Sequence, residues 1–224
     1  MSESKKSIVI FGTGKVAELA YFYFRTDSDY DVVAFTVDEN FLVVSDFCEL
    51  PVVPFEDIVT IYPPDHYDMF IAISYSNLNA VRAEKFQAAK ALGYRLISYI
   101  SSKATVLNEG RFGENCFILE DNTIQPFVTL GNNVTLWSGN HIGHHSTIKD
   151  STFISSHVVI SGGVEIGERC FIGVNSTLGN SIKVGNNCLI GAGSLLLRDA
   201  EAYGVYVGSP SVRSKVRSSR VRNI

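Results

Sequence analysis

The sequence has little of what marks a membrane protein, a nucleic-acid-binding protein or a disulfide-stabilised protein. Its 224 residues carry a formal net charge of −4, which gives no general case for binding nucleic acid. Only four cysteines occur, and none forms a CxxC pair. The apolar run nearest the N-terminus, residues 7–11, is too short for a signal peptide or a membrane span. We therefore expect a cytoplasmic protein with reduced thiols.

What the sequence does have is an uninterrupted six-residue repeat over residues 106–196. Every sixth position there holds a large apolar residue, and the register never slips. An amphipathic helix repeats near 3.6 residues and a half-buried strand near 2, so neither accounts for this period. A period of six is typical of a parallel β-helix. The positions are Val106, Phe112, Ile118, Ile124, Leu130, Leu136, Ile142, Ile148, Ile154, Ile160, Ile166, Ile172, Leu178, Val184, Ile190 and Leu196.

In such a helix six residues form one flat side, and three sides close a triangular coil. Residues three hexads apart then stack one strand spacing apart, roughly 4.8 Å. Ile142, Ile160 and Leu178 are predicted to form one internal stack. A small or β-branched residue usually follows four positions after the apolar one, and three of the cysteines hold that place: Cys116, Cys170 and Cys188. We interpret these three thiols as core filler.

Residues 7–21 indicate a strand, a glycine turn and a helix. The turn is Gly12, Thr13, Gly14 and Lys15, and such a turn lets a phosphate approach the N-terminus of the helix. The GxGxxG pattern is incomplete because Ala17 stands in place of the third glycine, so a tight strand-to-helix turn without a ligand remains an alternative. Asp38 follows the next strand, where it could hold a ribose hydroxyl or lie in a solvated loop.

The first hundred residues predict a small α/β domain. Apolar runs at residues 31–36, 51–55, 68–73 and 95–100 indicate further strands, and residues 77–93 have helical periodicity. We expect a Rossmann-like parallel sheet over residues 1–103, which is short for a dinucleotide and better suited to one nucleotide. Residues 104–200 are assigned to the β-helix and residues 201–224 to a closing segment that folds back over the last coil, followed by a basic tail. That tail is either a solubilising extension or an attraction site for cofactor phosphates.

This order of parts resembles a known family. A short Rossmann-like domain with a Gly-Thr-Gly-Lys loop, then hexapeptide coils, then VYVGSPS at residues 205–211 is similar to the bacterial sugar acyltransferases of the sialic acid O-acetyltransferase type. These include the PglD- and PerB-like N-acetyltransferases that act on nucleotide-linked amino sugars. The resemblance implies a left-handed β-helix and a homotrimer. It also implies acetyl-CoA between adjacent prisms, no metal, and the nucleotide of the sugar in the N-terminal domain.

Four of the five histidines fall close together, at His141, His144, His145 and His157. In the family the catalytic histidine sits four residues before a hexad aliphatic, so the resemblance gives the general-base role to His144, ahead of Ile148. Histidine suits a base that takes a proton from an attacking amine or hydroxyl. Relatives often have an acid at the next position, but here it is His145. The orienting partner is thus His145, a carboxylate from elsewhere or a neighbouring subunit's side chain.

Coil geometry places Gly162 three hexads after His144, on the same outer face. The family uses a backbone N–H from this coil to stabilise the thioester oxyanion, so Gly162 is the candidate donor, unless the glycine only serves a tight corner. Val174, Ala192 and Gly193 are candidate walls for the pantetheine arm of the cofactor. His157 falls on another side of the prism, and His141 is interpreted as structural.

Four functions compete. The first is transfer of acetyl from acetyl-CoA to a nucleotide-linked amino sugar, a precursor of a surface polysaccharide such as lipopolysaccharide, by direct attack. The second is O-acetylation of a sugar such as sialic acid. A distant alternative is a zinc lyase similar to γ-type carbonic anhydrases, although the histidine spacing differs from theirs; a non-catalytic scaffold would leave the histidines unexplained.

Overall fold

The computed structural model describes residues 6–209. The basic tail, with Arg213, Lys215, Arg217, Arg220 and Arg222, lies outside the described residues.

The N-terminal domain contains a five-stranded sheet in which β1 is central. Its strands are β1 (Lys6–Phe11), β2 (Tyr30–Val37), β3 (Asp46–Phe47), β4 (Leu50–Pro54) and β5 (Asp68–Ile71), in the order β3-β4-β2-β1-β5. Strand β1 pairs in parallel with β2 and β5, and β2 pairs in parallel with β4. Strand β3 forms an antiparallel hairpin with β4. The small α/β domain is thus confirmed, with one antiparallel edge strand.

Three α-helices flank this sheet: α1 (Lys15–Thr26), α2 (Ile58–Ile61) and α3 (Ala80–Ala91), with 3₁₀ turns at Glu39–Phe41 and Phe55–Asp57. Helix α1 packs its apolar stripe of Ala17, Ala20 and Phe24 against one side of the sheet. Helix α3 packs Phe86 and Ala89 against the other side. The amphipathic spacing of each helix therefore seats it on one sheet face.

Two predicted elements of this domain are wrong in extent or partner. The helix predicted over residues 77–93 begins only at Ala80, because residues 77–79 form a left-handed turn. The fifth parallel strand predicted over residues 95–100 does not join the sheet beyond a single bridge from Leu96 to Met69. Its last part is β6 (Tyr99–Ile100), which belongs to the next domain. The β-helix therefore starts a few residues before the predicted boundary at residue 104.

The β-helix has three faces of short parallel strands. Face 1 consists of β6, β8 (Phe117–Ile118), β11 (Thr135–Leu136), β14 (Phe153–Ile154), β17 (Phe171–Ile172), β20 (Leu189–Ile190) and β22 (Val205–Tyr206). Face 2 consists of β7 (Thr105–Val106), β9 (Thr123–Ile124), β12 (His141–Ile142), β15 (Val159–Ile160), β18 (Thr177–Leu178) and β21 (Leu195–Leu196). Face 3 consists of β10 (Thr129–Leu130), β13 (Thr147–Ile148), β16 (Glu165–Ile166) and β19 (Lys183–Val184).

The second residue of each strand points inward and builds the core. Ile142 pairs with Ile160, and Ile160 pairs with Leu178, so the predicted stack is confirmed. Cys116, Cys170 and Cys188 are fully buried in the same core. Each buried Ile or Leu side chain contributes about 2 kcal/mol through burial, which is why an unbroken period of six specifies the fold.

The segment after the last hexad extends the coil and does not fold back over it. Ala200 bridges to Val184, and β22 pairs in parallel with β20. The prediction of a fold-back was wrong because it assumed that loss of the six-residue period ends the pairing. Backbone pairing continues here with one longer turn.

The N-terminal domain rests on face 1. Phe117 on β8 packs against Tyr23 of α1 and Phe70 of β5. The hydroxyl of Tyr23 donates a hydrogen bond of 2.8 Å to Glu120. Faces 2 and 3 carry none of these contacts, and this leaves the edge between them open.

Candidate active site

The edge between face 2 and face 3, called here the 2/3 edge, carries His144 and His145. Both follow β12, and both side chains are exposed. Their Nδ1 atoms lie 3.0 Å apart, so one ring donates a hydrogen bond to the other. If Nδ1 of His144 carries that proton, its Nε2 is left with a free lone pair that can accept a proton. Of the three candidate partners that could orient the His144 ring, His145 is the one that contacts it among the described residues.

Gly162 lies directly beneath the His144 ring, as the stacking of coils predicts. A Cβ atom added to Gly162 would fall 2.6 Å from Cε1 and 2.7 Å from Nε2 of His144. Only a residue without a side chain fits there. The backbone N–H of Gly162, however, already donates a hydrogen bond of 3.2 Å to Oδ1 of Asn180 on the following coil. A thioester oxygen would have to displace Oδ1 of Asn180 from this N–H or share the N–H with it.

Three further residues of this edge were not picked out from the sequence. Oε1 of Gln125 accepts the backbone N–H of His144 at 2.8 Å. The half-exposed ring of Phe127 packs against His145, with ring centroids 4.6 Å apart. Phe127 and Asn180 are each three hexads from a predicted site residue, so the same stacking rule that found Gly162 could have found them.

The other predicted β-helix residues lie elsewhere on the same chain. His141 sits on the outer side of face 2, beside Val159. His157, Val174, Ala192 and Gly193 lie along the edge between face 1 and face 2, called here the 1/2 edge. The width of face 2 thus separates the predicted pantetheine walls from His144 within one chain.

The N-terminal domain has a topological switch point at the carboxyl ends of its strands, and the space there, between the loops after β1 and β5, is called here the crevice. The chain passes from β1 to β2 on one side and returns to β5 on the other, so the loops after β1 and β5 flank the point where strand order reverses. Ligands of open α/β sheets bind at such points. Gly12 has a φ of +122°, and a Cβ there would lie 2.9 Å from the carbonyl oxygen of Ala72. The Gly12–Lys15 turn therefore faces the loop after β5.

Asp38 is neither free nor simply solvated. It follows β2, and its Oδ1 accepts a hydrogen bond of 2.8 Å from Nζ of Lys85 on α3. Lys85 also lies 5.8 Å from the ring centroid of Phe11. The pair places one negative and one positive group at the mouth of the crevice, where Oδ2 of Asp38 remains available to a hydroxyl.

The loop after β5 was also missed by the sequence-based prediction. Asn77, Leu78 and Asn79 have φ values of 48°, 48° and 64°, three consecutive residues in the left-handed region. This conformation costs roughly 1 kcal/mol or more per residue, and strain of this kind concentrates at ligand-binding loops. Exposed Tyr75 and Ser76 directly precede this turn, and the loop leaves β5 at Ala72, whose carbonyl oxygen lies against Gly12.

Within residues 6–209 no three histidine, cysteine or acidic side chains are arranged to share a metal ion. Over the same described range, every helix is too short or too polar to cross a membrane.

Comparison with known proteins identifies the repeats and the fold. Residues 145–180 and 163–198 match the family model described as bacterial transferase hexapeptide (six repeats). PerB from Caulobacter crescentus, solved with CoA and GDP-perosamine, superposes with a TM-score of 0.81 at 22% identity, covering 90% of this chain and 94% of that one. The acetyltransferase domain of PglB from Neisseria gonorrhoeae gives 0.80 at 21% identity, covering 92% and 98%.

WeeI from Acinetobacter baumannii is a more distant match, with a TM-score of 0.61 at 18% identity over 92% of this chain and 98% of that one. At these identities the similarity establishes the fold, including the left-handed winding of the β-helix. The protein is therefore a small α/β domain followed by a left-handed parallel β-helix, and residues 145–198 of that helix match the family model of bacterial transferase hexapeptide repeats.

Proposed function

We propose that this protein is an acetyl-CoA-dependent N-acetyltransferase that acts on a nucleotide-linked amino sugar. The observation that carries the proposal is the exposed His144 ring, held by His145 and seated over Gly162. A base with a free Nε2 beside a backbone N–H is the pair of groups that acyl transfer to an amine requires.

The reaction would proceed by direct attack. The sugar amine forms a C–N bond to the thioester carbon of acetyl-CoA while it gives a proton to Nε2 of His144. The tetrahedral oxyanion then collapses, the C–S bond breaks, and the proton passes to the CoA sulfur. His145 holds the imidazole in the tautomer that leaves Nε2 free.

Gly162 is the proposed donor to the oxyanion. A preorganised donor of this type contributes roughly 3 kcal/mol to the stability of the transition state. Its N–H bonds to Asn180 in the free chain, and the same arrangement recurs where Oδ1 of Asn132 and Oδ1 of Asn186 accept N–H groups of the preceding coils. We infer that the thioester oxygen takes the place of Asn180 when acetyl-CoA binds.

The nucleotide is assigned to the crevice formed by Gly12, Thr13, Gly14 and Lys15 with Asp38. The diphosphate would meet the glycine turn at the start of α1, and Asp38 would accept a ribose hydroxyl. One solved structure with this fold was determined with CoA and GDP-perosamine, and another with acetyl coenzyme A. These structures support a nucleotide-linked sugar and acetyl-CoA as the two substrates proposed here.

A homotrimer with sites between subunits fits the placement of these parts. The crevice belongs to the domain on face 1, whereas His144 lies on the opposite 2/3 edge, so one chain does not bring them together. Val174, Ala192 and Gly193 on the 1/2 edge are likewise remote from the same chain's His144. A neighbouring prism would bring each of them to His144 of another subunit.

The second candidate is O-acetylation of a sugar such as sialic acid, since a hydroxyl could use the same base. The N-terminal crevice favours the nucleotide-linked substrate, because a free sugar would leave it unused. No observation favours a zinc lyase. A role in making surface polysaccharide or glycan precursors in the cytoplasm follows from the proposed substrate class.

The test is an acetylation assay with acetyl-CoA and a panel of UDP-, dTDP- and GDP-linked amino sugars. We expect release of CoA thiol and a product that mass spectrometry identifies as the N-acetyl sugar. Replacing His144 by Ala should lower kcat by about 10²-fold or more, the usual contribution of a general base.

His66→Ala is the matched control, because His66 is an exposed histidine in a loop of the other domain. It should leave turnover unchanged. Acetylation of hydroxyl acceptors alone would replace the proposal with its second candidate. Full turnover by His144→Ala would overturn the assignment of the base.

A further inference from the structure

The left-handed loop after β5 is anchored on the β-helix. Nδ2 of fully buried Asn79 donates a hydrogen bond of 3.0 Å to the carbonyl oxygen of Cys170. Tyr75 packs its ring against Phe153 and Phe171, with centroids 5.1 and 4.8 Å away. The loop is therefore fixed at both ends on the outer side of face 1.

Arg82 of α3 reinforces this anchor from inside the domain interface. Its side chain is 2% exposed, and its two terminal nitrogens contact only neutral oxygens. Nη1 donates to the carbonyl oxygen and Oδ1 of Asn133 and to Oγ1 of Thr135, while Nη2 donates to Oδ1 of Asn79 and the carbonyl oxygen of Ser151. The guanidinium thus ties the loop to two neighbouring coils.

The charge of Arg82 is unusual for a buried group. Across residues 6–209 no carboxylate forms an ion pair with it, and its Nε has no hydrogen-bond partner. Desolvation lowers its pKa to about 10, so it stays cationic at neutral pH. A buried charge without an acid is costly, and an apolar residue would serve simple packing better. The free-energy cost of burying this charge therefore indicates that Arg82 positions the groups it contacts.

We propose that Arg82 is a positioning residue that sets the shape of the Tyr75–Asn79 loop and thereby the affinity of the crevice for the nucleotide-linked sugar. This inference rests on the proposed function. Arg82 touches neither the crevice nor His144; it acts through Asn79, whose backbone closes the left-handed turn. The planar fork of the guanidinium reaches acceptors on both the loop and the coils at once, which an ammonium group cannot do.

The test compares Arg82→Lys and Arg82→Met with the parent enzyme in steady-state assays with both substrates varied. Both variants should raise the KM for the sugar nucleotide about tenfold, with the KM for acetyl-CoA within about twofold of the parent value. Asn79→Ala should give the same split, because it removes the link through which Arg82 acts.

Tyr23→Phe is the matched control, since it removes the Tyr23–Glu120 hydrogen bond at the same domain interface but away from the loop. It should lower thermal stability without changing either KM. An equal rise of both KM values, or the same KM change in Tyr23→Phe, would reduce Arg82 to a structural residue. Should an Arg82 variant fail to fold, isothermal titration calorimetry of Asn79→Ala with the nucleoside diphosphate tests the same inference. An affinity for the nucleoside diphosphate equal to that of the parent enzyme would overturn it. If the parent enzyme neither turns over nor binds any sugar nucleotide, the proposed function has failed instead.

Discussion

At the scale of single residues, the neighbouring imidazoles of His144 and His145 differ from a histidine oriented by an acid. The 3.0 Å contact between their Nδ1 atoms needs one ring to donate a hydrogen bond and the other to accept it. A carboxylate would stabilise the imidazolium by charge, whereas His145 offers only a lone pair. The orientation of His144 therefore depends on which of the two rings carries the hydrogen at Nδ1.

Gly162 gives a sharper prediction at this scale. Gly162→Ala adds a methyl group 2.6 Å from Cε1 of His144, and the ring must move because the β-helix backbone cannot. We expect kcat to fall about tenfold to a hundredfold, since the proposed base would then be displaced from the proposed amine substrate. The fold should persist, and the measurement is kcat together with the thermal unfolding midpoint.

Gly179→Ala serves as the comparison, because its added methyl would meet its nearest atoms at 3.3 Å and leaves both histidines untouched. It should keep kcat near the parent value. Equal losses in the two variants would mean that coil distortion, and not displacement of His144, explains the result.

At the scale of elements, the six-residue period was enough to predict the β-helix, its internal stack and the buried cysteines. The period works because each inward residue is fixed by local sequence and meets the next coil at a constant separation. Gly162 followed from the same rule. Residues 95–100 show the limit of the prediction. Their apolar run indicates a strand, but the partner of Tyr99–Ile100 proved to be β8 and not the N-terminal sheet.

The contacts between the two domains lie beyond any local pattern. Arg82 meets Asn133 and Thr135 about fifty positions away, and no periodicity links a helix to a coil edge. The turn at residues 77–79 was hidden for a different reason. Leu78 stands three residues before Val81, which imitates helical spacing, and only the flanking asparagines hint at the left-handed conformation.

The C-terminal end of α1 supplies a prediction about pH. Hydrogen bonds from Ser102 and Tyr99 lower the pKa of Asp27 from 3.8 to about 2; the Tyr99 hydroxyl is 2.7 Å away. Because the folded-state pKa lies below the unfolded one, this stabilisation is present above about pH 4 and is lost as pH falls toward 2. Asp27→Asn should be less stable than the parent at pH 7, with the gap narrowing below pH 4.

Chemical unfolding at pH 7 and pH 3 measures that difference. Asp31→Asn on the exposed side of β2 is a suitable comparison, and its stability should track that of the parent at both pH values. A gap for Asp27→Asn that stays constant down to pH 3 would show that the carboxylate charge does not matter to this contact.

At the scale of the whole molecule, the two proposed half-sites face away from each other. The crevice with Asp38 sits above face 1, and His144 occupies the 2/3 edge. Phe127 on the 2/3 edge and Val159 and Leu195 on face 2 are exposed apolar residues. If a single chain were active, its substrate would have to reach from the crevice around the prism to His144. In an oligomer the substrate need not do so, because the crevice of one chain can meet His144 of another chain.

This arrangement can be tested with mixed oligomers. A chain carrying His144→Ala and a chain carrying Asp38→Ala should each be poorly active alone at low sugar-nucleotide concentration, the first through kcat and the second through a raised KM. Co-expressed in equal amounts, they should recover activity, since an intact base and an intact crevice each occur in half of the chains and coincide in about one quarter of intersubunit sites. If each site lay within a single chain, the mixture would recover no activity, because every chain carries one defect. Activity of the mixture that does not exceed the average of the two separate variants would therefore show that each chain works alone.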